Sequence, residues 1–307
     1  MTIREAMNEW LSYHMEIRRY AAGTLEDMRC SIRKMCACLE KEKGQGNSLE
    51  AAAITASDLL AWIEHIKKTG VSHTTVLKNL SHLSSFFDYL LCREIITKNP
   101  ASLVKLKRAA TKITDDFLSQ EETALLFQQA RKLTGKAGFR DYCILALLYG
   151  TGMRANELCN LRMDDVSVGR ETVFVNHGKR GRQRYIPLPC ELLPLLQDYK
   201  AMRGNKGRAF FQMKGERHVT LNYLRELMKK LARAANITQK VTPKTIRHSY
   251  ATHLAEEGVK VPVIAKLMGH KSLKESNPYL HTSARRLKLA IEEHPANEIL
   301  SGLEAQQ

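Results

Sequence analysis

The chain changes character once, near residue 104, and that change limits what it can fold into. Up to Asn99-Pro100 its apolar residues recur at helical spacing in four stretches. From Val104 to Thr114 large apolar residues thin out while Lys105, Lys107, Arg108 and Lys112 accumulate. Beyond that stretch helical patterning resumes, interrupted by one β excursion. A segment this polar does not run through the middle of a single core. The pattern therefore predicts a helical domain over residues 1–107, a basic linker over 108–113, and a second domain over 114–307 with a tail from about 285. The 307 residues leave each domain enough chain to bury its own core.

In the first domain, residues 3–20 carry Trp10, Leu11 and Ile17 at helical spacing. Thr24, with Asp27 three residues on, approximates a capping box for a second helix that fades at Gly44-Gln45-Gly46-Asn47. A third helix is expected from near Thr55 to Gly70. A fourth runs from about Ser72 to Cys92, with Val76, Leu80, Leu83, Phe86, Phe87 and Leu90 as a stripe that reads as core packing. In the second domain Ser119 and Glu122 form a capping box that opens a helix. The β excursion comprises residues 171–176 and 184–188, flanking the basic turn Gly178-Lys179-Arg180-Gly181-Arg182. Helical patterns return over 221–235, 243–258 and 261–268, and again over 283–300 with a break at Pro295. The expected fold class is mainly α with a small β-sheet or hairpin, in two domains.

Charge points to the partner. Lys and Arg number 48 against 32 Asp and Glu, a net +16 shared by both domains. Such an excess favours a polyanion, most often nucleic acid, through neutralised phosphates and released counterions. Lys105, Lys107 and Arg108 can lie along a DNA backbone, or can be a solvated charge run. Met1-Thr2-Ile3-Arg4-Glu5 lacks an apolar signal core, and no run reaches the roughly 20 apolar residues of a membrane span. Seven cysteines without repeated spacing suit a reducing compartment, so a bacterial cytoplasmic, nucleoid-associated location is expected. Cys36 and Cys38 have no second pair at zinc spacing, and there is no Walker-type glycine loop or acidic cluster suited to Mg²⁺. Neither metal nor cofactor is expected.

Breaking a phosphodiester without metal requires a nucleophile, positive charge on the non-bridging oxygens, and an acid for the leaving oxygen. Arginine meets the second need with a planar fork that stays charged. Arg154 lies in Gly150-Thr151-Gly152-Met153-Arg154-Ala155-Asn156-Glu157-Leu158, and Arg247 follows Lys244 by three residues, a spacing that sets both on one helix face. Glu157 either orients Arg154 or makes a plain helix contact. Tyr279 stands nine residues after His270. Among ten tyrosines its nearest rival is Tyr250, which falls on an apolar helix face and reads as core. His248 and His253 read as local packing; His281 contacts phosphate or is simply exposed.

These segments, taken together, resemble the motif boxes of the tyrosine recombinases, the phage-integrase and Xer-like family. Residues 150–158 resemble the first box, and Lys244-Thr245-Ile246-Arg247-His248-Ser249-Tyr250-Ala251-Thr252-His253-Leu254 the second. Leu267-Met268-Gly269-His270 and Tyr279-Leu280-His281 resemble the histidine and nucleophile segments, and the four-helix first domain looks like the family's core-binding domain. The resemblance implies that Tyr279 is the nucleophile, forming a 3′-phosphotyrosyl link and releasing a 5′-hydroxyl. Arg154 and Arg247 would hold the scissile phosphate, assisted by His270. Lys244 occupies a place filled by His or Lys in the family, and a lysine there is a fixed charge more than a proton shuttle. Lys179 matches the hairpin lysine that protonates the leaving oxygen, with Arg180 and Arg182 as competing cations or phosphate contacts. Pro278 fixes its own φ and biases Asn277 towards extended backbone ahead of the nucleophile.

The expected function is site-specific recombination, for integration or excision of a mobile element or for resolving replicon dimers. The alternatives are a type IB topoisomerase-like activity and an architectural DNA-binding protein that does not cut. The implied partners are double-stranded DNA with short inverted-repeat core sites, three further copies of the chain in a homo-tetramer on paired sites, and an accessory DNA-bending protein. The segment from Arg285 onward would dock on the neighbouring subunit.

Overall fold

The computed structural model describes residues 1–44, 49–107, 116–176 and 183–269. The chain forms two compact units, Met1–Lys112 and Ile113–Gln307. The Arg108, Lys179, Arg180, Arg182, His270, Tyr279 and His281 assignments, the tail from 285 and the patterned stretch 283–300 lie outside the described residues.

The first unit contains α1 (Ile3–Glu16), α2 (Ala22–Lys43), α3 (Ala56–Lys68) and α4 (His73–Cys92). Each helix turns one apolar face inward. In α4 that face is the expected stripe from Val76 to Leu90, and it meets Trp10 of α1, whose ring sits edge-on to Phe86 at 5.4 Å. Ser72 caps α4 by accepting from the Thr75 amide, and Thr55 and Asp58 close a reciprocal capping box on α3. Val104 is buried in this core and Leu106 packs against it, although both fall in the stretch that the sequence reads as sparse in large apolar residues.

Two helix boundaries differ from expectation. α1 stops at Glu16, and Ile17 is exposed, because the amides of Ile17 and Arg18 both bond to the Tyr13 carbonyl and Arg19 turns into left-handed backbone at φ 50°. α2 begins at Ala22 behind Ala21, with no side-chain cap. Thr24 is not the cap: its amide already bonds to the Ala21 carbonyl inside the first turn.

The second unit contains α5 (Gln120–Arg131), α6 (Gly135–Thr151), α7 (Ala155–Cys159), β1 (Val166–Ser167), β2 (Thr172–Val175), β3 (Arg184–Pro187), α8 (Leu192–Arg203), α9 (Leu221–Ala234), α10 (Pro243–Glu256) and α11 (Val261–Met268). Its centre is α6, apolar on nearly every side, which packs against α5, α8 and α10. The capping box of Ser119 and Glu122 opens α5 as expected. The strands form one antiparallel sheet in the order β1-β2-β3. β1 has two residues, too few to show a period in sequence. The sheet presses Val173, Val175 and Ile186 into the core, and places Arg184 opposite Val175. Opposed residues share a face, so Arg184 begins on the core side. No helix among the described residues is long and apolar enough to cross a membrane.

Candidate active site

The site is assembled where α6 ends. Gly152 closes that helix in left-handed backbone at φ 58°, donating to the Leu148 carbonyl. A Cβ at Gly152 would also run into the ring of Tyr250 on α10. Glycine is therefore required twice, once by conformation and once by close approach. Two residues on, Arg154 starts α7 as its N-cap, with its amide bonded to Glu157 Oε2 at 2.8 Å.

Arg154 and Arg247 come from segments 93 residues apart by number, and the fold brings them to one carbonyl. Arg247, buried on α10, donates Nη2 to Met268 O at 2.8 Å and Nη1 to Gly152 O. Arg154 donates Nη1 to the same Met268 O at 3.4 Å and Nη2 to Gly269 O at 3.1 Å. The backbone of residues 268 and 269, at the end of α11, thus lies against both guanidiniums. Carbonyls satisfy these donors without cancelling the charge.

One carboxylate enters this cluster. Glu157, whose side chain is 2% exposed, accepts from Arg154 Nη1 at 3.1 Å and from Arg184 Nη1 and Nη2 at 3.0 and 2.8 Å. Burial alone would raise its pKa, yet the hydrogen bond and charge of Arg184, then the amide and charge of Arg154, hold it below the usual carboxylate range. Glu157 therefore hydrogen-bonds to both the backbone amide and the guanidinium of Arg154. Among the described residues of the cluster there are three guanidiniums and one carboxylate, which leaves a cationic excess suited to an anion.

Lys244 and Arg247, expected on one face of a helix, have different surroundings. Arg247 is covered where α10 packs on α6 and α11. Lys244 is exposed in the first turn, 3.9 Å from Asp116, and both side chains are well solvated. His248 lies beside them. Burial first, then the charges of Lys244 and Arg247, push its imidazole below the usual range against the pull of Asp116. His253 is buried, as the packing reading holds: it bonds to Tyr149 Oη at 2.8 Å and to the Leu118 carbonyl at 2.9 Å. Ser249 accepts from the Leu118 amide at 2.8 Å. The arginine-bearing helix thus clasps both backbone groups of the residue that leads into α5. Tyr250 is part-buried, and burial raises its phenol's pKa while the Arg247 charge lowers it. Lys105 and Lys107 are exposed on the first unit, and the Lys107 carbonyl takes a 2.7 Å bond from His73 Nε2.

Arg184 is the residue that the sequence reading missed. Its sequence context marks it only as strand, yet it contributes three hydrogen bonds to the cluster: two to Glu157 and one from Nε to Leu267 O at 3.2 Å. The available signal was its two-residue offset from Ile186, which puts a cation on the inward face of a strand.

Comparison with known proteins agrees with this architecture. Residues 116–286 match the phage integrase family and residues 7–94 match the phage integrase N-terminal SAM-like domain. The chain is similar to a tyrosine recombinase of Thermosipho africanus (strain TCF52B), 33% identical over 279 residues, covering 88% of this chain and 93% of that protein. It is likewise 33% identical over 260 residues to tyrosine recombinase XerC of Bacillus subtilis (strain 168), covering 81% and 83% of the two chains. Among solved structures it is similar to the XerH site-specific recombinase in a post-cleavage complex with palindromic difH substrate, with a TM-score of 0.73 at 19% identity over 94% of this chain and 84% of that one. A lambda integrase dimer bound to a COC′ core site gives a TM-score of 0.72 at 17% identity over 93% and 79%. At these identities the structural likeness is one of fold.

Proposed function

The chain belongs to the phage integrase family of tyrosine recombinases, and on that premise we propose that it is a site-specific DNA recombinase acting through a 3′-phosphotyrosyl intermediate. The observation that carries this reading is the meeting of Arg154 and Arg247 at the Met268 carbonyl, two residues before His270. Two planar forks from separate helices can grip both non-bridging oxygens of one phosphate, where a single arginine would leave it free to turn.

The chemistry follows from that grip. The phenol of Tyr279 gives up its proton to water as Oη attacks the scissile phosphorus and the bond to the 5′ oxygen breaks, and charge gathers on the non-bridging oxygens between Arg154, Arg247 and His270. The departing 5′ oxygen takes a proton from a hairpin cation, Lys179 ahead of Arg180 and Arg182. Lys244 adds fixed positive charge at the rim. The phosphotyrosyl ester conserves the bond, so a 5′-hydroxyl from either strand reverses the step, with no nucleotide consumed and no metal required. Residues 1–107 with Lys105 and Lys107, the 108–113 linker with Arg108, and Arg180, Arg182 and His281 of the 114–307 domain supply backbone contacts. The DNA complexes of the similar structures support binding to double-stranded core sites. A homo-tetramer on paired inverted repeats, linked through the segment from 285 and assisted by a DNA-bending protein, completes the reading, for integration, excision or dimer resolution.

The test is a nicked duplex, selected from a random library by binding to this protein, that loses its short strand on cleavage. Incubation should give a denaturation-resistant protein–DNA adduct that survives chelator, is lost in Tyr279→Phe and is kept in Tyr250→Phe. An adduct that persists in Tyr279→Phe, or that chelator abolishes, would end this reading.

A further inference from the structure

We propose that Arg184, at the start of β3, is a positioning residue that aims Arg154 by fixing Glu157 and the backbone at the end of α11. The inference rests on the recombinase reading of the site.

Arg184 commits three donors. Nη1 and Nη2 form a fork on the two oxygens of Glu157 at 3.0 and 2.8 Å, and Nε donates to Leu267 O at 3.2 Å. Both Glu157 oxygens are shared with Arg154: Oε1 takes its Nη1 at 3.1 Å and Oε2 its backbone amide at 2.8 Å. The orientation of Glu157 therefore sets where the Arg154 guanidinium lies, and the fork from Arg184 sets the orientation of Glu157. The same arginine holds the carbonyl next to Met268, on which Arg154 and Arg247 converge.

The neighbourhood is shaped around this side chain. Gly269 takes left-handed backbone at φ 63°, and a Cβ there would come within 3.0 Å of the Arg184 guanidinium. A glycine is needed for the helix to turn where the arginine passes. Arg184 is mostly covered, at 15% exposure against 26% for Arg154. Removing Arg184 would leave Glu157 buried with less compensation, and burial then favours its neutral form, which is a poorer acceptor for Arg154. Lysine is not equivalent, because one ammonium cannot span both carboxylate oxygens and the carbonyl.

The experiment uses the full chain and the selected nicked duplex, measuring the adduct rate at saturating protein together with the DNA dissociation constant. In Arg184→Gln the rate should fall by about 10- to 100-fold, the cost of a misplaced group remote from the bond broken, while DNA affinity stays within about threefold. Arg184→Lys should fall between. Arg184→Gln with Glu157→Gln should be no slower than the slower single variant, because residues acting as one unit are not additive. A neutral methylphosphonate at the scissile position removes charge that Arg154 would hold, so the deficit of Arg184→Gln should shrink on it. A merely structural role would give the same deficit on both substrates. Wild-type rates in Arg184→Gln and Arg184→Lys, additive losses in the double variant, or an unchanged deficit on methylphosphonate would overturn the proposal. Should Arg184→Gln fail to fold, Arg184→Lys carries the same substrate comparison. If the wild-type chain gives no adduct, the recombinase reading falls and takes this one with it; an active wild type beside an unaffected Arg184→Gln removes this inference alone.

Discussion

Helices α4 and α10 bury comparable lengths of chain for opposite reasons. α4 turns Val76, Leu80, Leu83, Phe86, Phe87 and Leu90 inward, and Asn79 is the polar residue among them. α10 buries Thr245, Arg247, Ser249, Thr252 and His253 beside Pro243, Ile246, Ala251 and Ala255. In α4 the interchangeable quantity is apolar area, and any residue of the right size and shape serves. In α10 the buried groups have assigned partners: Arg247 on Gly152 O and Met268 O, Ser249 and His253 on the backbone of Leu118. Buried polar groups are costly unless satisfied, so a helix built this way fixes geometry where α4 contributes cohesion. The contrast says where substitution should cost stability and where it should cost chemistry.

The largest effect is expected in α4. Phe86→Ala removes a fully buried ring and should destabilise the first unit by about 4 kcal/mol. Denaturant unfolding measures it, and the adduct rate under stabilising conditions should be little changed. A loss of cleavage without loss of stability would erase the distinction. On α10, Arg247→Ala should slow adduct formation by about a hundredfold or more, the cost of deleting a charged donor from the transition state. Its DNA affinity at low salt should fall much less. Equal losses of affinity and rate would make Arg247 a plain DNA contact.

A smaller, pH-dependent effect isolates the carboxylate behind Arg154. Glu157 has a folded pKa below its ordinary 4.5, so its ionised form stabilises the fold at pH above that value. That contribution is lost as pH falls through the folded pKa. Melting curves from pH 6 down should show the wild-type advantage over Glu157→Gln holding above about 4.5 and eroding below it. A difference that stays flat with pH would mean that the ion pairs with Arg154 and Arg184 do not set the titration.

The same contrast explains what the sequence disclosed. α4 was legible because its stripe repeats at the helical period, and α3 and α5 because Thr55 with Asp58, and Ser119 with Glu122, carry their own start signals. The fold class, mainly helical with a small antiparallel sheet, follows from such local rules. Thr24 misled because a threonine three residues before an acid also occurs inside a first turn, and backbone geometry alone decides which. The sheet was half visible: β2 and β3 alternate over four residues each, while β1 is too short to alternate. In the site, Arg154 and Arg247 stood out because local boxes resemble a family, but nothing local links Arg184 to Glu157, 27 residues earlier. Such partners are set by tertiary contact, and a single sequence records only the residue types.

The smallest effect is expected where α10 meets water. Lys244 and Asp116 face each other at 3.9 Å with 71% and 61% of their side chains exposed. Exposed pairs of this kind are worth well under about 1 kcal/mol, so Asp116→Asn should leave stability almost unchanged. Its effect should appear on DNA instead. Removing a carboxylate beside Lys244 takes away a charge that repels phosphate and competes for the ammonium. Affinity should rise modestly at low salt, and the gain should vanish as ionic strength shortens the screening length to a few ångströms. A large loss of stability in Asp116→Asn would show that the exposed side of α10 is held as tightly as its buried side. The division between a specified interior and a freely solvated rim would then have to be redrawn within this one helix.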